Sequence, residues 1–127
     1  MARIYPRFFE EVSVDAVVRS KFGSNPVRLY LFGQAPLNSP HVYAVWQVLS
    51  GEPNRGLSCP PGSDSWTILV DVYGKQAGDV RDAASALVDA VEATPFGLVQ
   101  RFSGESRDPG DGSYRYSFDV SWWQARS

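Results

Sequence analysis

Histidine occurs once, at position 41, and cysteine once, at position 59, so a nucleophile–base pair or a zinc site in this chain would need carboxylates to complete it. Neither residue has a partner at a recognised spacing. His41 follows Pro40 at the start of a predicted strand and reads as an exposed loop residue, and Cys59, between Ser58 and Pro60, reads as a plain loop thiol. Asp71 and Asp119 fall on predicted strands and could meet on one sheet face as an acid/base pair. Acidic residues that alternate along a strand more often mark its solvated side, and Arg115 offers a neutralising neighbour. Asp108 and Asp111, set among Gly110, Gly112 and Ser113, match neither a phosphate-binding loop nor the acidic ligand spacing of a calcium loop, and a hairpin turn is the better reading. No catalytic, cofactor-binding or metal-ligating residue is assigned, and no cofactor is expected.

Aromatic residues could do a different kind of work. Four Trp, six Tyr and seven Phe would suit stacking against single-stranded nucleic acid, but such platforms also need a basic groove, and the formal net charge is −2. Most of these rings fall on the inward phase of predicted strands, where core packing accounts for them. Trp122 and Trp123 are adjacent, so in one strand they must point to opposite faces. The second is a candidate interface anchor; the other reading is a second core layer under the N-terminal helix.

The elements that must carry these residues follow from periodicity. Phe8, Phe9, Val12, Val14, Val17, Val18 and Phe22 recur at helical spacing between Pro6 and Gly23, with Ser13 placed to cap a second segment after a break. Val27 to Phe32 and Val42 to Leu49 read as strands, and the Gly/Pro-rich run from Ser50 to Asp64 reads as a long loop. Ser65 to Tyr73 alternates, with Trp66, Ile68, Val70 and Val72 on one face. Val80, Ala84, Leu87, Val88 and Val91 mark an amphipathic helix that ends before Pro95. Beside that face, Ala83, Ala86 and Ala90 form a small-residue stripe that permits close packing, although alanine also simply favours helix. Gly97 to Ser103 and Tyr114 to Trp123 form a predicted hairpin whose connection, Gly104 to Gly112, projects beyond the sheet.

The sum is an α+β fold: a largely antiparallel β-sheet with an N-terminal helix and a central amphipathic helix packed on one face, in a single domain over residues 1–127. With 43% hydrophobic and 20% charged residues the chain is expected to fold as a soluble domain. One cysteine permits no intrachain disulfide, in keeping with a reducing cytoplasm. No stretch approaches the roughly 18 apolar residues of a membrane span and no secretory signal opens the chain, so no membrane partner is expected.

Five phrases in order carry a family resemblance. They are Tyr30-Leu31-Phe32-Gly33-Gln34-Ala35-Pro36, Pro40-His41-Val42-Tyr43-Ala44-Val45-Trp46-Gln47, Ser50-Gly51-Glu52-Pro53-Asn54, Trp66-Thr67-Ile68-Leu69-Val70-Asp71-Val72-Tyr73 and Gly112-Ser113-Tyr114-Arg115-Tyr116-Ser117-Phe118-Asp119-Val120. Together they resemble the tail-terminator, or tail-completion, proteins of long-tailed bacteriophages. The resemblance implies a non-enzymatic virion protein that caps the tail tube as a ring of six copies, ends elongation, and meets the head–tail connector. Its implied partners are further copies of itself, the tail tube protein and the connector protein. DNA would pass through the lumen without specific binding, which a mildly acidic chain suits. The implied location is the virion tail, with the host cytoplasm during assembly. The two long polar loops are then expected to make subunit or tube contacts through Glu52, Asn54 and Arg55 in one and Glu105, Arg107, Asp108 and Asp111 in the other, together with Trp123. The competing classes are a small-ligand enzyme or binding domain on the same scaffold, and a nucleic-acid-binding module.

Overall fold

The computed structural model describes residues 5–24, 26–36, 39–53 and 63–125. In chain order the elements are α1 (Phe8–Val12), α2 (Ala16–Phe22), β1 (Leu29–Leu31), β2 (Tyr43–Pro53), β3 (Ser63–Gly74), α3 (Ala77–Ala93), β4 (Gly97–Arg107) and β5 (Tyr114–Ala125). The strands make one sheet in the order β1-β2-β3-β5-β4, parallel between β1 and β2 and antiparallel elsewhere. This is the expected α+β layout, with the helices against one face.

That face is built by strand alternation. Ala44 and Trp46 on β2, Ile68, Val70 and Val72 on β3, and Phe118, Val120 and Trp122 on β5 are buried against Val80, Leu87 and Val91 of α3 and against Phe8, Val12, Val18 and Phe22 of the N-terminal helices. Phe8 lies with its ring centroid 5.2 Å from Trp46 and 5.5 Å from Trp122, so α1 covers one end of the sheet with aromatic contacts. Gln124 reinforces this end, its Oε1 accepting from the Trp122 indole N–H at 2.6 Å and from the Arg7 backbone N–H at 2.8 Å. Ala83, Ala86 and Ala90 are all buried on α3, which packs beside α2.

Three expectations need correction. The N-terminal helix does break, but the cap of α2 is Asp15, whose carboxylate accepts from the N–H groups of Val17 and Val18; Ser13 is buried after the end of α1. An N-cap of this kind contributes about 1 kcal/mol. With α2 starting two residues later than supposed, Val14 and Val17 turn outward, 64% and 55% exposed, and only Val18 and Phe22 enter the core. Secondly, β2 runs on through Pro53 and β3 begins at Ser63, so residues 50–53 and 63–64 are paired strand and not loop. A register shift between Val48 and Ser50 makes this possible, because a bulge lets a strand continue past residues that interrupt a regular one. Thirdly, β4 extends to Arg107, with shifts at Val99/Arg101 and Phe102/Gly104 and Gly104 at a φ of 111°, so the projecting connection shortens to residues 108–113.

Candidate functional site

The strand order separates the two segments that the sequence marked for contact. Glu52 pairs with Ser65, and Ser65 with Trp123, so these three form one row across β2, β3 and β5 near the β2–β3 connection. At the other end of β3, Gly74 pairs with Tyr114, and Tyr114 with Arg107. The twelve residues of β3 span about 36 Å. Glu52 and Trp123 therefore stand at one pole of the molecule and Arg107, Asp108 and Asp111 at the opposite one. Asn54, Arg55 and Cys59 lie outside the described residues.

At the first pole the two tryptophans divide as strand alternation requires: Trp122 is wholly buried, and Trp123 is 43% exposed on the sheet face that no helix covers. The Trp123 N–H donates to the Phe96 carbonyl at 2.8 Å, which holds the backbone while leaving the indole free of the core. Gly51 is required opposite Trp66, since a Cβ there would lie 2.7 Å from the indole nitrogen and closer still to its neighbouring ring carbon.

The second pole is a tied turn. Asp108 Oδ1 accepts from the Gly110 N–H and Asp111 Oδ1 from the Ser113 N–H, each at 2.8 Å, while Asp108 N–H donates to the Ser113 carbonyl. The Ser113 backbone N–H foremost, then the Ser113 hydroxyl and the charge of Lys75, hold the Asp111 carboxyl below its ordinary pKa. Arg107 lies over the Tyr114 ring at 5.6 Å. A cleft of about 510 Å³ opens between this turn and the stacked pair Tyr43 and Tyr73, whose centroids are 5.2 Å apart. Burial, then the neighbouring Tyr73 and Asp111, raises the Tyr43 hydroxyl above its ordinary value. Glu105, expected in the projecting loop, instead sits within β4 and faces α3. There Arg81 donates to both of its oxygens at 2.6 and 2.8 Å, which lowers the carboxyl's pKa.

The residues considered for chemistry do not converge. Asp71 accepts a short hydrogen bond from the Ser117 hydroxyl and Asp119 one from Ser103 at 3.2 Å, while Arg115, the supposed neutralising neighbour, donates to Ser106. His41 is exposed, its backbone engaged with Ser39. Among the described residues no group of three or more His, Cys, Asp or Glu could hold a metal ion, and no helix is long and apolar enough to cross a membrane.

A further surface escaped the sequence reading. An open groove of about 480 Å³ runs between α3 and the edge strand β4, floored by Ala84, Val88, Phe102 and Tyr116. The Arg81–Glu105 pair bounds it, and Glu92 reaches β4 close by, its Oε2 accepting from the outward Val99 N–H at 3.2 Å. Phe102 is 61% exposed. The signal lay in β4, where Leu98 and Phe102 are large apolar residues that stay outside the core.

Comparisons with known proteins bear on the family and the fold. The family described as tail completion protein gp17 matches residues 7–125. No curated protein matches the sequence. Among solved structures, a chain from the virion of a native gene transfer agent particle has the same fold, with a TM-score of 0.62 at 15% identity, over 94% of this chain and 92% of that one.

Proposed function

Because the chain belongs to the tail completion protein gp17 family, and so is a structural component of a phage-type virion tail, we infer that it closes the tail tube as a ring, ends elongation and forms the tail side of the head–tail joint. The observation that carries this reading is the placement of the two contact segments at opposite poles of one rigid sheet. A ring component between a tube and a connector needs one contact on each side, and a domain with its marked residues at both poles supplies them. Glu52 and Trp123, with Asn54 and Arg55 close by in sequence, serve one side; Arg107, Asp108 and Asp111 serve the other. Glu105, engaged by Arg81, belongs to the flank of the domain. Six copies make the ring, each meeting the next by a head-to-tail contact that closes by rotation, and DNA passes through without being gripped. The gene transfer agent particle in which the similar chain resides is itself a virion, which fits a role in a phage or a phage-derived particle.

Light scattering of the purified chain with and without tail tubes tests the reading. A ring-sized species that caps tubes and fixes their length is expected; a chain that stays monomeric and leaves tubes growing would overturn it.

A further inference from the structure

Opposite flanks of the domain carry surfaces of matching chemistry. On one flank, Val14 and Val17 are exposed beside Lys21, at i, i+3 and i+7 along the start and outer face of α2. Residues 14–28 include Arg19, Lys21 and Arg28 and one carboxylate, Asp15, which is engaged in capping α2. Arg28 ties this flank to the β1–β2 edge by donating to the carbonyls of Val42 at 2.8 Å and Lys21 at 3.3 Å. The other flank is the groove between α3 and β4, with exposed Phe102 and half-buried Val88 at its floor. Of the α3 acids, Asp89 stands on this groove, whose one arginine, Arg81, is already engaged by Glu105, while Asp79 and Asp82 lie on the other side of the helix in a cleft shared with Lys21 and Arg28. Asp89 on the groove wall has no ion-pair partner among the described residues.

We propose that the Val14, Val17 and Lys21 face of one copy of this chain seats in the α3–β4 groove of a second copy, with the valines against Val88 and Phe102 and Lys21 against Asp89. The inference rests on the ring reading and gives that ring its lateral contact. Since β1 and β4 are the two edges of the sheet, the contact joins opposite flanks and is heterologous, so rotation can close it into a ring. Apolar centre and charged rim are the usual division of such an interface, the rim charges setting register and rejecting wrong partners. The contact leaves both poles free for tube and connector.

Charge reversal tests it. Lys21→Glu and Asp89→Lys, both exposed and expected to fold as the parent does by circular dichroism and thermal midpoint, should each raise the subunit concentration for half-assembly about tenfold, and the double variant should return it close to that of the parent. A mixture of Val17→Asp and Phe102→Asp chains retains one intact contact per pair and should stop at dimers. If the parent forms rings while both reversals assemble as it does, or if the double variant is worse than either single one, this contact is wrong and the ring reading stands. A parent that never assembles, with or without tubes, removes both.

Discussion

Trp66, Trp122 and Trp123 gather at the β2–β3 end of the sheet, while Tyr43, Tyr73, Tyr114 and Tyr116 occupy the β4–β5 end. The first end is dry on its covered face: Phe8 and Phe96 pack on Trp122, and Gln124 satisfies its one polar atom. The second is wet, held by carboxylate bonds to backbone N–H groups, a cation over a ring, and half-buried phenols. The indole end thus contributes to folding through buried area, and the phenol end holds a local shape through exposed polar bonds. On the proposed function, the turn at the second pole would be shaped before any partner arrives, whereas the first pole would offer Trp123 for burial against one.

Substitutions should separate the two ends. The largest effect is expected from Trp122→Ala, which removes a wholly buried indole contacted by Phe8 and Phe96; a loss of about 3–5 kcal/mol in chemical denaturation is expected. Gly51→Ala at the same end drives a Cβ into the buried Trp66 ring and should cost about 1–3 kcal/mol, with a shifted Trp fluorescence spectrum. Trp123→Ala should leave stability within about 0.5 kcal/mol, as for exposed sites, and instead weaken tube capping. Equal destabilisation by Trp122→Ala and Trp123→Ala would erase the comparison.

The phenol end should respond to pH. Asp111 and Glu105 have lowered carboxyl pKa values in the fold, so the unfolded chain binds more protons as pH falls; their contribution is present above the ordinary carboxylate range and is lost as acid protonates the folded groups. Tyr43 is raised, so its contribution falls as pH climbs above the ordinary tyrosine value. Both groups at issue in acid are exposed and screened, so the effect is local. Faster amide exchange at Ser113 in acid than expected from intrinsic chemistry, with no matching change at Trp123, is the signature. An indole end that loosens first would reverse the assignment.

Much of the architecture was legible because periodicity is unambiguous where one face is buried. β3 alternates strictly and α3 keeps its apolar stripe, and both appear where the residue pattern placed them. The outward turn of Trp123 followed from its neighbour. Strand ends were less readable: Gly51, Pro53 and Gly104 are residues that usually close a strand, and bulges carried β2 and β4 past them. Ser13 and Asp15 are both able caps two residues apart, and only the packing of Phe8 and Val18 decides between them. The parallel pairing of β1 depends on strand order, and the separation of the two marked segments on the antiparallel pairing of β3 with β5, neither of which local pattern encodes.

The seam between β3 and β5 joins residues 40 positions apart at Gly74 and Tyr114 and 62 apart at Ser63 and Ala125. Each hairpin closes locally, whereas this zipper waits for β5 to be synthesised. Until then β3, with its unpaired amides, is a bare margin open to any other nascent polypeptide, and chains stalled before residue 114 should be the species that sediments in a translation assay. Correct maturation of the particle thus depends on the twelve residues of β5 arriving before a stranger does.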